Sequence, residues 1–340
     1  MFFLTLIVFF SQGFSQQKAG NSFKIVFYNV ENLFDTIDDP LKTDDDFLPT
    51  SKVPWNAQRY HQKLMHTATV IKAIDSLNLP AVVGLAEIEN TTALQDLIMS
   101  SPLRAGKYQA ILEEGSDPRG IDVALIYRPE VMKYAGHHSY PSATSFKTRS
   151  LLHVKLVNVK KDTFHIIVNH WKSRSGGAVE TESKRIENAE VIRHLTDSLF
   201  AINPQTHIVI VGDLNDEPTD KSVSEVLGAK NTGEKISPDS LYNLMSSLLK
   251  NGEGTLYYKD WDLFDQIIVS GNLLLRKPNK GAVISRPYAY IFKPDWILYK
   301  NKNGEMVPNR TANGNAYFGG YSDHLPVYTI VKNGPAILDD

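Results

Sequence analysis

Two short stretches decide the fold, Val211-Gly212-Asp213-Leu214-Asn215 and Ser322-Asp323-His324-Leu325-Pro326-Val327. The first stretch ends an apolar run from Ile208 to Val211, which predicts a buried strand, and the second opens another strand-like run, Leu325 to Val331. Each stretch therefore places carboxylate, amide or imidazole groups where a strand ends or begins. Ligands bind at such positions in α/β proteins, because the loops at the carboxyl ends of strands converge over the sheet.

The composition limits the kinds of site that this chain can build. It has 340 residues, of which 42% are hydrophobic and 22% charged, enough for a sizeable core. Its 36 basic and 38 acidic residues give a net charge of -2, so a polyanionic substrate would have to be held by a local basic patch and bound cations. The absence of cysteine excludes disulfides and thiolate metal sites, which leaves oxygen and imidazole as metal ligands.

The N-terminus predicts a targeting segment. Residues 2–10 are apolar but too few to span a bilayer, and small residues follow up to Ser15. We interpret residues 1–15 as a cleavable signal peptide, and expect a secreted or periplasmic protein. Because no Lys or Arg precedes the apolar run, an uncleaved anchor or a buried strand remains the alternative. No later run approaches about eighteen apolar residues, which predicts a soluble mature protein with no stable membrane association.

The rest of the chain alternates strand-like and helical patterns. Apolar residues three to four apart predict amphipathic helices from Asn56 onward and over residues 184–199. The acidic segment 38–46 predicts a solvated loop, with a calcium site as the alternative. Further strands are predicted at Phe23 to Tyr28, Ala81 to Ala86, Asp122 to Tyr127, Phe164 to Asn169, Leu263 to Val269 and Trp296 to Tyr299.

No low-complexity linker or short-period repeat divides the chain. We therefore predict one α/β domain, residues 22–332, with two mixed β-sheets packed face to face and helices outside.

Four polar residues each follow a different predicted strand: Asn29, Glu87, His170 and Asp213. Their common placement predicts a shared site. If Glu87, Asp213 and Asp323 converge, two carboxylates about 4 Å apart repel by about 4 kcal/mol at an effective dielectric constant near 20. Such a cluster needs a cation, and oxygen ligands favour Mg²⁺, Mn²⁺ or Ca²⁺.

Six pieces of sequence occur in the order of one known superfamily. They are Tyr28-Asn29-Val30, Leu85-Ala86-Glu87, Asn169-His170, Gly212-Asp213-Leu214-Asn215, Asp265 and Ser322-Asp323-His324. This set resembles the endonuclease/exonuclease/phosphatase superfamily, which includes pancreatic-type deoxyribonucleases, abasic-site endonucleases, sphingomyelinases and inositol polyphosphate phosphatases. The resemblance implies a four-layer α/β/β/α sandwich with a Mg²⁺-type ion at one edge.

The resemblance also assigns metal ligands. Glu87 matches the principal ligand, Asp323 shares the metal cluster, and Asn29 lies near it. Glu31 stands where some members have a ligating acid and others do not. These four residues are our predicted metal site.

The catalytic roles come from the same resemblance. Asp213 and Asn215 match the pair that positions and deprotonates the attacking water. His324, oriented by Asp265, would contact the scissile phosphate and stabilise its developing charge. His170 matches the second histidine of the deoxyribonuclease and sphingomyelinase branches, where it can protonate the leaving oxygen.

Substrate contacts are predicted from local cations and aromatics. Trp171 to Gly177 is a glycine-ended basic turn that can present Lys172 and Arg174 to phosphate, the alternative being an ordinary exposed turn. This turn, Arg119-Gly-Ile-Asp122 and Tyr257-Tyr258 resemble the secreted bacterial nucleases. Arg119 and Tyr258 complete our predicted substrate contacts, with core packing as the alternative for the aromatics. Asp122 is predicted either to orient His170 or to pair with Arg119.

These observations predict a secreted, divalent-metal-dependent phosphodiesterase. The favoured substrate is DNA or RNA, cleaved by in-line water attack, and we expect a monomer. One alternative is a sphingomyelinase-like lipid phosphodiesterase or a sugar or inositol phosphate phosphatase, for which residues 281–292 would be the apolar membrane contact. Another alternative is a non-catalytic binding protein on the same fold.

Overall fold

The computed structural model of the chain describes residues 22–143, 145–275, 281–314 and 316–333. The predicted signal peptide, residues 1–15, lies outside the described residues. The predicted catalytic domain, residues 22–332, lies almost wholly within them.

The helices follow the amphipathic patterns of the sequence. Asn56 precedes the first helix, and its side chain accepts a hydrogen bond from the Arg59 amide, which satisfies one of the free N–H groups of the first turn. The described residues contain no helix that is both long and apolar enough to cross a membrane. The α-helices are α1 (Ala57–Ile74), α2 (Thr91–Met99), α3 (Glu182–Ile202) and α4 (Ser246–Lys250), with short 3₁₀ turns at Asp45–Phe47, Arg104–Gly106, Gly271–Leu273 and Asp295–Ile297 and a π turn at Ser222–Val226.

The strands occur along the whole described chain. In chain order they are β1 (Ser22–Leu33), β2 (Val82–Ile88), β3 (Gln109–Leu112), β4 (Asp122–Tyr127), β5 (Met132–Pro141), β6 (Ser150–Asn158), β7 (Thr163–His170), β8 (His207–Asp213), β9 (Ala229–Asn231), β10 (Leu241–Asn243), β11 (Leu256–Tyr257), β12 (Trp261–Asp262), β13 (Asp265–Ser270), β14 (Ala282–Ile284), β15 (Tyr290–Ile291), β16 (Leu298–Lys300), β17 (Met306–Pro308), β18 (Ala312–Asn313), β19 (Ala316–Tyr317) and β20 (Val327–Asn333).

Two mixed sheets contain most of these strands. The first has the order β14-β20-β1-β2-β4-β3, with β15 also paired to β20, and its β1 and β2 run parallel. The second has the order β5-β6-β7-β8-β13-β10-β9, with β7 and β8 parallel. Three small hairpins, β11-β12, β16-β17 and β18-β19, lie outside them. The parallel pairs β1-β2 and β7-β8 carry the site residues at their carboxyl ends.

Three apolar layers hold the molecule together. The central layer joins the inner faces of both sheets, for example Phe27 of β1 and Val211 of β8. A second layer packs α1 and α2 against the first sheet, through Leu64 and Leu94 among others. A third packs α3 against the second sheet, around Ile192. The predicted four-layer α/β/β/α sandwich is therefore confirmed.

Candidate active site

The polar ends of strands from both sheets meet at one edge of the sandwich. Asn29, on β1, donates a hydrogen bond from Nδ2 to Asp213 Oδ2 of β8 at 3.1 Å. The same Nδ2 lies 3.4 Å from Glu87 Oε1 on β2. One buried amide thus connects carboxylates from the two facing sheets, as the placement of these residues after their strands predicts.

A bulge in the first sheet aims Glu87 at this edge. The register of β2 shifts between Ala86 and Ile88 against β4, and Glu87 has a left-handed φ of 65°. Such a conformation is unfavourable for a residue with a side chain, and it is common where function fixes the backbone. The carboxylate is held by the Asn32 amide, which donates to Glu87 Oε2 at 3.0 Å.

His324 is held by a buried carboxylate. Its Nδ1 donates to Asp265 Oδ2 at 2.7 Å, and its Nε2 lies 3.7 Å from Asp213 Oδ2. Burial opposes the charged imidazolium, but Asp265 and Asp213 outweigh it and hold the pKa of His324 well above its usual value. A charged ring therefore faces the edge where the acids meet.

His170 has the opposite electrostatic environment. Its Nε2 lies 3.5 Å from Asp213 Oδ2 and 3.9 Å from Glu87 Oε1. Burial, reinforced by the cations Arg149 and Arg119, lowers the pKa of His170 well below its usual value. The ring is therefore neutral near pH 7, and it can donate or accept a hydrogen bond without carrying an extra proton.

Asp213 and Asn215 are fixed by the turn after β8. The Asn215 amide donates to Asp213 Oδ1 at 3.0 Å, and its Nδ2 donates to the Trp171 carbonyl at 3.2 Å. Burial raises the pKa of Asp213 to about 6, against the opposing charge of His324. Asp213 is thus ionised but unusually basic at neutral pH, as a proton acceptor needs to be.

Glu31 and Asp323 share an arginine. Arg310 lies with Nε 3.4 Å from Glu31 Oε1 and with its terminal nitrogen 3.0 Å from Asp323 Oδ2. Glu31 also accepts hydrogen bonds from the amides of Thr311 and Ala312. Burial and the nearby Asp323 raise the pKa of Glu31 to about 7. The Glu31 carboxylate is thus already engaged within the protein.

The donors around Glu87 fit a hard divalent cation. They are carboxylate oxygens, those of Glu87 and of Asp323 in the same pocket, and within the described residues neither Lys nor Arg lies within 4 Å of the Glu87 carboxylate. No three acidic or histidine side chains in these residues form a ready metal cage. Mg²⁺ needs none, because it commonly binds one or two carboxylates and completes its coordination with water and substrate phosphate. Glu87 would hold such an ion, with Asp323 beside it.

The predicted substrate cations have partners within the protein. Arg174 pairs with Asp216 at 2.9 Å and Asp220 at 2.5 Å, and Arg119 pairs with Asp117 at 3.3 Å. Lys172, half-buried in the same basic turn, has a pKa lowered by burial and by nearby arginines. Arg174 therefore stabilises the turn after β8, and any phosphate contact would compete with these pairs.

Asp122 and Tyr258 lie in separate surroundings. Asp122 Oδ1 accepts a hydrogen bond from the Gly115 amide at 2.8 Å, and burial raises its pKa to about 7. Neither proposed role, orienting His170 or pairing Arg119, is visible in this contact. Tyr258 is exposed in a cleft that also contains Asp323.

Two arginines of the site carry no sequence motif. Arg310 joins the acids described above. Arg149 is fully buried, donates to the Trp171 carbonyl at 2.5 Å and pairs with Asp117 at 3.1 Å. Because that carbonyl also accepts a hydrogen bond from Asn215, Arg149 supports the turn after β8. The only hint in the sequence is an arginine directly before a strand-like run.

Comparison with known proteins agrees with the geometry. The profile described as Endonuclease/Exonuclease/phosphatase family matches residues 24–333. No curated protein matches the sequence.

Solved structures share the fold at low sequence identity. D. rerio TDP2 in complex with a single-strand DNA product has 16% identity and a TM-score of 0.56, covering 92% of this chain and 100% of that one. A Bacteroides thetaiotaomicron endonuclease/exonuclease/phosphatase family protein has 14% identity and a TM-score of 0.55, covering 92% and 98%. The human Nocturnin catalytic domain, with bound sulfate, has 17% identity and a TM-score of 0.53, covering 92% and 94%.

Proposed function

The chain belongs to the endonuclease/exonuclease/phosphatase family and is a phosphoric ester hydrolase, and from this premise we propose that it is a secreted, divalent-metal-dependent nuclease. The observation that supports the proposal most is the single cluster of Asn29, Glu87, His170, Asp213 and His324 at one sheet edge. Phosphodiester hydrolysis needs a base, a cation site and groups that stabilise charge. The cluster supplies two carboxylates, an amide, one charged histidine and one neutral histidine.

In this proposal Asp213 accepts the proton of the attacking water. Its raised pKa, about 6, lies near the pH at which a general base works best. Asn215 fixes the carboxylate through its backbone amide, and Asn29 fixes the other carboxylate oxygen. The base is therefore held by two donors from two sheets.

The two histidines divide the remaining work. His324, charged because of Asp265, would neutralise the developing charge on the phosphate oxygens. His170, neutral because of burial and Arg149, would donate a hydrogen bond to the leaving oxygen rather than act as a strong acid. A divalent cation bound by Glu87, which we propose to be Mg²⁺ with Mn²⁺ or Ca²⁺ as substitutes, would withdraw charge from the phosphoryl group.

The fold disfavours the lipid alternative within the described residues. The apolar segment that would contact a bilayer, 281–292, is built into the first sheet. Ala282–Ile284 is buried and paired with β20, and Tyr290–Ile291 pairs with the same strand. An exposed apolar hairpin is therefore not available there, and nucleic acid remains the proposed substrate.

Plasmid cleavage tests the proposal. We expect purified protein to nick supercoiled DNA in Mg²⁺, to lose this activity in EDTA and to recover it when the cation is restored. Hydrolysis of sphingomyelin vesicles or inositol phosphates without DNA or RNA cleavage would reverse the order of substrates. For the proposed secretion, N-terminal sequencing of the protein recovered from medium or periplasm should begin near residue 16.

A further inference from the structure

A second cleft leads away from the active edge at Asp323. Two small hairpins, β11-β12 and β16-β17, form its walls, and its volume is about 770 Å³. Two kinds of side chain characterise it, exposed aromatic rings and basic residues. The residues that carry the argument are Tyr258, Lys259, Tyr299, Lys300, Lys302 and Phe318.

The aromatic rings are exposed although large apolar side chains usually pack inside. Tyr258 is 77% exposed, Tyr299 45% and Phe318 58%. Each lies on a different segment of chain, and all three line this one cleft. Ring faces gathered at a surface in this way can take part in stacking.

The charge of the cleft is opposite to that of the whole chain. Three lysines line it, Lys259, Lys300 and Lys302. Asp323 is the one carboxylate among the described lining residues, and it is paired with Arg310. The complete chain has a net charge of -2. A polyanion would therefore find favourable electrostatics in this cleft, although the chain as a whole is slightly acidic.

The cleft is continuous with the active edge. Arg310, Asn313 and Asp323 line it and also line the pocket that contains Glu31 and Glu87. Arg59 and Tyr317 line that pocket as well, and the Arg59 guanidinium lies 4.2 Å from the Tyr317 ring centre. An extended chain can thus run from the cleft into the pocket that contains Glu87.

We propose that this cleft binds an unpaired stretch of nucleic acid beside the scissile phosphate, so that the enzyme prefers single strands or frayed ends to intact duplex. The proposal rests on the proposed nuclease function. Bases would stack on Tyr258, Tyr299 and Phe318, while Lys300 and Lys302 neutralise phosphates. In a duplex the base faces are already stacked on one another, so these rings would have nothing to bind.

Binding can be measured apart from cleavage. Fluorescence anisotropy of a labelled single-stranded oligonucleotide, and of the same oligonucleotide annealed to its complement, is recorded with the full-length protein in EDTA. We expect the single strand to bind at least about tenfold more tightly than the duplex. Equal affinity for both, or tighter duplex binding, would overturn the proposal.

Variants then locate the contact. Tyr258→Ala and Tyr299→Ala should each weaken single-strand binding about tenfold, with duplex binding unchanged, whereas Tyr258→Phe and Tyr299→Phe keep the ring face and should bind as wild type. Tyr134→Ala is the matched control, because Tyr134 is an exposed tyrosine in a separate pocket that shares no residue with the cleft. If the alanine variants bind normally, or the phenylalanine variants fail as badly as alanine, stacking in the cleft is wrong.

The two proposals fail differently. A protein that binds single strands through these rings but cleaves no nucleic acid in Mg²⁺ supports the cleft and contradicts the nuclease function. One that cleaves plasmid DNA while the alanine variants keep full affinity supports the nuclease and contradicts the cleft. Preferential binding to lipid vesicles in place of oligonucleotides would contradict both.

Discussion

The contact between Asp265 and His324 gives a prediction whose size follows from geometry. Asp265→Asn keeps the shape of the side chain but removes the charge that faces the imidazole at 2.7 Å. The Asp265 side chain is fully buried and that of His324 is 8% exposed, so solvent cannot replace the lost charge. A hydrogen bond to a charged group contributes about 1.5–3 kcal/mol.

That energy converts into a rate. Since about 1.36 kcal/mol corresponds to a factor of ten, kcat/KM should fall about 10- to 150-fold in Asp265→Asn. Hydrolysis of bis(p-nitrophenyl) phosphate in Mg²⁺ measures the loss without assuming a nucleic-acid substrate. Asp197→Asn, which changes an exposed acid paired with Arg193 on α3, should leave the rate unchanged.

The fold must be checked in the same experiment. Urea unfolding and circular dichroism should show that Asp265→Asn remains folded at the assay temperature. A folded variant with kcat/KM within twofold of wild type would refute the role of Asp265. So would a loss of activity that parallels a loss of folded protein, because the carboxylate would then act on stability alone.

Three further predictions concern metal, packing and pH. Glu87→Gln should raise the Mg²⁺ concentration for half-maximal activity at least about tenfold. Glu31→Gln should change that concentration little, because backbone amides already hold the Glu31 carboxylate; a metal titration measures both. Arg149→Met should lower the free energy of unfolding in urea by about 1–3 kcal/mol, because it removes the charged hydrogen bond to buried Asp117 and leaves that carboxylate with Arg119 alone. His153 and His165 have pKa values lowered by burial to about 4, so their contribution to stability is present above about pH 6.5 and lost as the pH falls toward 4; replacing both with Gln should flatten the unfolding midpoint over that range.

The sequence predicted the strands that end at the site, because each is an apolar run closed by a polar residue. His170 and Asp213 end β7 and β8, and Glu87 is the last but one residue of β2. Asn29 lies within β1, which continues to Leu33 beyond the predicted strand, and the structure brings all four residues together. Their catalytic and metal roles stay predictions. The bulge at Glu87 was not predicted, since a left-handed φ at a non-glycine residue leaves no mark in composition.

Strands β5 and β6 were also missed, and the reason is visible for β5. Most of β5 is exposed and rich in polar residues such as His137 and His138, so it lacks an apolar run. Helix α2 was also missed, although Asn90 caps it and Leu94 and Leu97 have helical spacing. Short helices and strands are stabilised mainly by tertiary packing. The periodicity of a single sequence does not reveal that packing.

The two arginines without a sequence motif, Arg149 and Arg310, show most clearly what the sequence could not predict. Arg149 pairs with Asp117 across thirty-two positions, and Arg310 lies against Glu31 although 279 positions separate them. Neither pairing follows a local spacing rule. Such contacts form only when the two sheets have packed together, so no local pattern in the sequence predicts them.

The most direct test is the rate of the Asp213→Asn variant on thymidine 5′-p-nitrophenyl phosphate at saturating Mg²⁺. Removing a general base should lower kcat by about 10²–10⁴-fold while the protein stays folded and still binds the cation. A kcat within threefold of wild type would contradict the account, because the water would then be activated elsewhere than at the edge where the two sheets meet.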